Sequence, residues 1–285
     1  MNYERISNFK DNKFKRTVGV PRLLFEILFE ILVEIIRNYL LKLHRKGDRK
    51  PKLNAENLLL MFFIYYRDYP TFLSLANQFN LDESNAWRWI RKIEKILYDC
   101  FSIEHSNIEF SQLINISCFD ANEKTIRIVD VTECNIQRSK NVDIQKEYYS
   151  GKKKKHTLKI QIIIEEVTNK ILSIAFEKGS VHDYKVFKNT TKDINKEISF
   201  LADSGYQGID KIFKHSTTPK KKSKNNPLTD EDKEFNHLIS TNRISVEHTN
   251  CQVKIFRILS ERYRSQIKTF FIPTIIICIF YNLCL

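Results

Sequence analysis

The sequence predicts an α/β domain preceded by an all-α domain. Through about residue 105 apolar residues recur at helical spacing; from about residue 106 Val, Ile and Thr become common and alternate with period two. Beyond that switch stand three acids. Asp130 and Asp203 end apolar, strand-like runs, and Glu247 lies inside a helix-like segment. Residues 1–105 are therefore assigned to the helical domain, with a helix-turn-helix over about 54–97, and residues 106–285 to the α/β domain.

The elements follow in order. Pro21 opens a helix, because its missing N–H costs nothing in a first turn. The segment Leu23 to Leu41 carries Glu26, Glu30 and Glu34 at spacing four. One face is charged, so this is an amphipathic helix and not a membrane span; it packs in the domain or forms a dimer seam. A basic Gly/Pro stretch from Leu43 to Lys52 breaks it, as a solvated linker or a phosphate-tracking segment. Asn54 caps a helix to about Tyr66, and Tyr69-Pro70 ends it. A short helix follows over Thr71 to Phe79. Asn80-Leu81-Asp82 makes a turn whose Asn tolerates the left-handed conformation, and Asp82 or Ser84 caps a third helix through Lys95. Small Ala76 four before Asn80, then apolar Leu81, Ala86 and Ile90, is a helix-turn-helix layout. Asn85, Arg88 and Arg91 would then lie near DNA; a plain three-helix packing unit gives the same pattern. Trp87 and Trp89 fall on different faces, so at least one should be core.

In the α/β part, Thr125 to Asp130 reads as a strand ending in an acid. Leu158–Ile164 and Lys170–Phe176 read as a hairpin turning at Thr168-Asn169. His182 to Phe187 is helix-like, and Ile198 to Asp203 is a short buried strand followed by Gly205 and Gly208. Thr229-Asp230-Glu231-Asp232 has a capping signature and begins a helix reaching roughly Leu259. The C-terminal apolar run from Phe270 contains Pro273 and Asn282 and reads as a buried helix. Acids on the first and fourth strands and on a late helix match an RNase H-like fold. Taken singly, each acid has an ordinary explanation in turn capping or solvation; two Asp and one Glu together are what a pair of Mg²⁺ ions needs.

Composition narrows the class. The 285 residues carry a net charge of +13, which favours a polyanionic partner. Six scattered cysteines include no Cys-x-x-Cys or Cys/His spacing, so they read as free thiols in a reducing compartment. The polar N-terminus shows no signal peptide.

With these residues in view, the chain resembles the DDE-type transposases of bacterial insertion sequences, in the insertion-sequence-five family, and is similar to the related Harbinger-type endonucleases. The resemblance runs from about residue 18 to the end. It rests on Asp130-Val131-Thr132-Glu133 with Ile136-Gln137-Arg138, on Tyr148-Tyr149-Ser150-Gly151 with Lys152 to Lys155 and His156, and on Gly179-Ser180-Val181-His182-Asp183. It continues through Ala202-Asp203-Ser204-Gly205-Tyr206 to Arg243-x3-Glu247-x6-Lys254. Two positions depart: Ser240 stands where the signature begins with Tyr, and Ser139 where Pro is usual. Neither is a metal ligand.

The resemblance implies catalysis by Asp130, Asp203 and Glu247 on two Mg²⁺ ions, with Mn²⁺ as a substitute. It implies cleavage at the element ends and transfer of the freed 3′-OH into target DNA. Lys152, Lys153, Lys154, Lys155, Arg243 and Lys254 would neutralise DNA phosphates, with Lys220 to Lys224 as a further basic run. His182 and Asp183 would support the site from behind. Partners would be duplex DNA at terminal inverted repeats and target, and further copies of the chain on DNA, in the bacterial cytoplasm at the nucleoid. The alternatives are a catalytically silent or domesticated DNA-binding protein, and a metal-dependent endonuclease without strand transfer.

Overall fold

The computed structural model of the chain describes residues 1–45, 52–101, 110–116, 125–222 and 227–285. The basic segment at 46–51, the boundary expected at 105/106 and Lys224 lie outside them. In chain order the elements are α1 (Tyr3–Ser7), α2 (Asp11–Val18), α3 (Arg22–Arg45), α4 (Ala55–Asp68), α5 (Phe72–Phe79), α6 (Glu83–Cys100), β1 (Leu113–Asn115), β2 (Arg127–Asn135), α7 (Val142–Tyr148), β3 (Tyr149–Ser150), β4 (Lys155–Glu165), β5 (Ile171–Lys178), α8 (Asp183–Thr190), β6 (Phe200–Leu201), α9 (Asp230–Val253), α10 (Arg257–Ser260) and α11 (Phe271–Leu283). They form two units. One joins Met1–Ser106 to Lys254–Glu261 and Ile272–Cys284; the other holds Asn107–Val253 and Arg262–Phe271.

In the helical unit, capping residues set the helix boundaries. Asn54 accepts from the Asn57 N–H, and Thr71 from that of Ser74. Tyr69 and Asn80 end α4 and α5 in the left-handed conformation, with φ of 47° and 54°. The Leu81 N–H then closes on the Ala76 carbonyl at 2.9 Å, the wide loop that seals a helix C-terminus. This is the turn expected between the second and third helices. Asp82 holds the N-cap position of α6 without a side-chain cap bond. α4 is buried on nearly every side, from Leu58 through Tyr66, and forms the unit's axis. α6 buries Ala86, Ile90, Ile93 and Leu97 against it and runs five residues beyond the expected end. Neither tryptophan is core: Trp87 is 48% exposed, and half-buried Trp89 meets Tyr39 edge-on. α3 packs Phe25, Leu28, Leu32 and Ile36 inward and leaves its glutamates in solvent. α11 is buried as expected, and among the described residues no helix is long and apolar enough to cross a membrane.

The second unit is built on a sheet ordered β1-β5-β4-β2-β6, with β3 paired to β4. All neighbours are antiparallel except β2 and β6. The hairpin between β4 and β5 turns at Asn169, whose φ is 58°. Two expected ends differ. β2 does not stop at Asp130 but continues to Asn135, because Val131 to Asn135 keep pairing with Gln161 to Thr157. α9 ends at Val253, and the helical turn at Leu259 belongs to a separate short helix. On one face of the sheet, Phe187, Phe200, Tyr206 and Phe213 interlock edge-to-face with Val129 and Ile163 beneath them. Each such ring contributes roughly 1.5–3 kcal/mol by burial. This cluster fixes α8 and the Ala202–Tyr206 segment against the sheet.

Candidate active site

Two of the expected acids are brought level by strand pairing. β2 and β6 run parallel with Ile128 opposite Leu201. Asp130, inside β2, and Asp203, just past β6, each lie two residues further on, level with each other across strands whose spacing is about 5 Å. Asp203 leaves its strand at once and caps a single 3₁₀ turn, accepting the Gly205 N–H at 2.7 Å. A Cβ on Gly205 would stand 2.8 Å from that carboxylate oxygen, so a side chain there would push the Asp203 carboxylate from its capping position.

α9 brings the second group. The helix begins at Thr229 with a reciprocal cap: Thr229 Oγ1 accepts from the Asp232 N–H, and Asp232 from that of Thr229. Val246, Thr249, Asn250 and Val253 form its buried face. From that side the Asn250 side-chain amide donates to Asp130 Oδ2 at 2.8 Å. Arg243, two turns earlier, holds a guanidinium nitrogen 3.6 Å from Asp130 Oδ1, an ion pair without hydrogen-bond contact. Glu247 lies between these two on the helix surface and is exposed.

A third carboxylate completes the neighbourhood. Asp183, in the first turn of α8, binds the ammonium of buried Lys159 at 2.6 Å, and the same ammonium donates to the Val181 carbonyl. His182 is the N-cap residue, its Nδ1 accepting from the Tyr184 N–H. Gly179 makes this approach possible. A Cβ there would fall 2.6 Å from the Tyr148 carbonyl and 2.7 Å from that of Thr157. Neither Asn250 nor Lys159 figures among the candidates read from sequence, although a Lys between Leu158 and Ile160 in a buried run signals a cation in need of a partner.

Burial governs the electrostatics. It pushes the Asp130 carboxyl up to about 6; Arg243 and the Val131 backbone N–H oppose the rise, while Asp203 and Asp183 add to it. Tyr206 is buried in the same company, and its hydroxyl is raised well above the ordinary range, chiefly by burial and then by Asp183, Asp130 and Asp203. Tyr206 Oη, Arg243 Nε and Asn250 Oδ1 are buried with no hydrogen-bond partner among the described residues. Such orphaned groups are costly, and they surround a carboxylate held away from its preferred charge. The donors are hard oxygens, the chemistry of a Mg²⁺-type cation, and a cation beside Asp130 would relieve the desolvated charge. Among the described residues, no three His, Cys, Asp or Glu side chains are gathered tightly enough to hold a metal ion.

The basic candidates separate into engaged and exposed. On α6, Arg88 is exposed and Asn85 half-buried, next to a shallow depression lined by Phe72, Glu83, Ser84 and Trp87. Arg91 faces inward: it pairs at 2.6 Å with Glu94, which is buried and also accepts from Tyr66 Oη. Burial raises the Glu94 carboxyl, and Arg91 offsets that. Lys152 to Lys155 are exposed on the turn between β3 and β4. Lys220 is tied to Asp232 at 2.5 Å, with its backbone bracketed by Asn236. Lys254 lies just past the end of α9.

Comparison with known proteins agrees with this layout. The DDE superfamily endonuclease family matches residues 129–282, which contain Asp130, Asp203 and Glu247. The helix-turn-helix of DDE superfamily endonucleases matches residues 51–103. A probable transposase for insertion sequence element IS702, from Microchaete diplosiphon, is 36% identical over 282 residues, covering 99% of this chain and 98% of that protein. No solved structure matches. With its helix-turn-helix, its two aspartates level on adjacent strands and a transposase relative along its whole length, the chain belongs to the DDE superfamily of endonucleases.

Proposed function

We propose that the chain is a transposase of the insertion-sequence-five type, allied to the Harbinger endonucleases, which cleaves DNA at the ends of its element and joins them to target DNA. The observation that carries the reading is the level placement of Asp130 and Asp203 on adjacent parallel strands, with α9 setting Arg243 and Asn250 against Asp130. The sheet order, with β5, β4 and β2 antiparallel in turn and β6 parallel to β2, supports an RNase H-like fold for the catalytic unit.

Asp130, Asp203 and Glu247 would hold two Mg²⁺ ions. Divalent ions in such a site supply Lewis-acid activation of the attacking oxygen and neutralise charge at the scissile phosphate. The chain's own residues prepare that place. Asn250 fixes one Asp130 oxygen, and Arg243 places a cation beside the other. Lys159 neutralises Asp183, so this fourth carboxylate adds less negative charge. Arg88 on the helix-turn-helix and Lys152 to Lys155 would contact phosphates, which position DNA without reading its sequence. Asn85, in the first turn of α6, would face base edges as the third helix of such a motif enters the groove. Several copies of the chain would act together on the two element ends.

The test is cleavage and joining of labelled duplexes carrying the element's terminal repeats, with Mg²⁺ and with chelator. The reading predicts nicking at the repeat boundary and joined product with Mg²⁺ alone. Nicking without joining would reduce the protein to an endonuclease, and binding without nicking to a silent DNA-binding protein.

A further inference from the structure

About five residues along β2 from Asp130, the second unit has a concavity of which the catalytic reading uses only the rim lysines Lys154 and Lys155. Its volume is about 670 Å³, within the range of small-ligand sites. Arg138, Lys154, Lys155 and Arg262 stand around it and no carboxylate lines it, so its ligand is an anion. Its wall is aromatic. Tyr149 and His156 are directly opposed between β3 and β4, with ring centres 5.6 Å apart and planes at 68°. His156 is half-buried, whereas Tyr149 is 45% exposed.

The backbone builds this arrangement. Lys154 takes a left-handed conformation, φ 52°, that non-glycine residues seldom adopt; this tight turn presents Lys154 and Lys155 at the mouth. Tyr263 donates its N–H to the Asn135 carbonyl at 2.8 Å and bridges to Ile136, which carries Arg262 to the rim. Arg138 is steadied by Gln145 at 2.9 Å.

A flat exposed ring inside a ring of cations is the pairing that takes an unstacked base together with its phosphate. The geometry points to a nucleotide-binding pocket here, which receives one unpaired nucleotide of the bound DNA on the Tyr149 ring. Five strand residues at about 3.3 Å each set it roughly 17 Å from Asp130. At about 3.4 Å per nucleotide along a strand, that is about five nucleotides from the phosphate being cut. The inference rests on the DNA-cleaving reading for its ligand.

The test uses the full chain and two probes: a blunt 20-base-pair duplex, and the same duplex with a six-nucleotide single-stranded tail bearing 2-aminopurine. The pocket predicts that the tail tightens binding about tenfold and that 2-aminopurine fluorescence changes on binding. Tyr149→Ala should abolish both effects and leave blunt-duplex affinity within twofold, while Tyr149→Phe keeps them. Millimolar dAMP should fail to displace the tail. A tail that adds nothing, or a Tyr149→Ala protein that handles it like the wild type, overturns the pocket. Equal competition by dAMP overturns the assignment to a DNA strand. Failure of the wild type to bind even the blunt duplex overturns the DNA reading itself, and the pocket's ligand with it.

Discussion

The side-chain amide of Asn250 donates to Asp130 Oδ2 at 2.8 Å, joining α9 to β2 across 120 residues of sequence. Asn250 is therefore a positioning residue for Asp130, the first acid of the proposed catalytic set. Its removal leaves the buried Asp130 with one donor fewer. Asn250→Ala should lower DNA cleavage about 10- to 100-fold, the worth of one hydrogen bond to a charged group, with DNA affinity unchanged. Asn250→Asp should be worse, because it sets a second carboxylate against the first. Cleavage rates and DNA titrations, beside a thermal melt that reports folding, check this.

Asp130 itself should cost stability. Its carboxyl is raised from 3.8 to about 6, so the folded state binds the proton more tightly than the unfolded chain. The sign follows: the cost is absent below about pH 4, grows as pH rises towards 6, and is fully present at pH 7. Asp130→Asn should abolish cleavage yet stabilise the protein at pH 7, by up to about 3 kcal/mol, with little gain at pH 4. Denaturant titrations at the two pH values decide it.

Lys159 and Asp183 form a pair with the lysine almost wholly buried. Asp183→Asn strands that ammonium and should destabilise the protein by about 3–5 kcal/mol. The double change with Lys159→Met should recover most of the loss. A double variant as unstable as the single would show that Asp183 acts otherwise.

Two arginines three residues apart on α6, Arg88 and Arg91, part company in the structure. Arg88→Ala should weaken DNA binding and flatten its salt dependence by about one unit of slope, without loss of stability. Arg91→Ala leaves Glu94 buried with only Tyr66 as partner, so it should lower the melting temperature before it touches DNA affinity.

Local signals made much of this legible. The turn between α5 and α6 was readable because Asn80 tolerates the left-handed conformation and Ala76 leaves room before it. Asp203 was readable because an apolar run, an acid and a glycine two residues on specify a strand and a capped turn. The end of β2 was not, because Val131 to Cys134 alternate like any strand and only pairing with β4 shows that they continue it. α1 and α2 escaped because they are short and polar, and α2 buries only Phe14 and Val18. Asn250 escaped because a neutral amide inside a helix has no pattern of its own; its role appears only when Asp130 arrives beside it. The basic pocket escaped because its walls come from three separate stretches of chain.

The central claim is that Asp130, Asp203 and Glu247 work as one metal-holding set, and Glu247, exposed on α9, is its most demanding member. The measurement is Mg²⁺-dependent cleavage of a labelled element-end duplex by Glu247→Gln, with DNA binding titrated on the same preparation. The account predicts a fall in cleavage of several orders of magnitude with binding kept, since affinity comes from the basic residues and the lost charge belongs to the metal site. Cleavage at the wild-type rate would contradict it, and would leave Asp130 and Asp203 without their third partner.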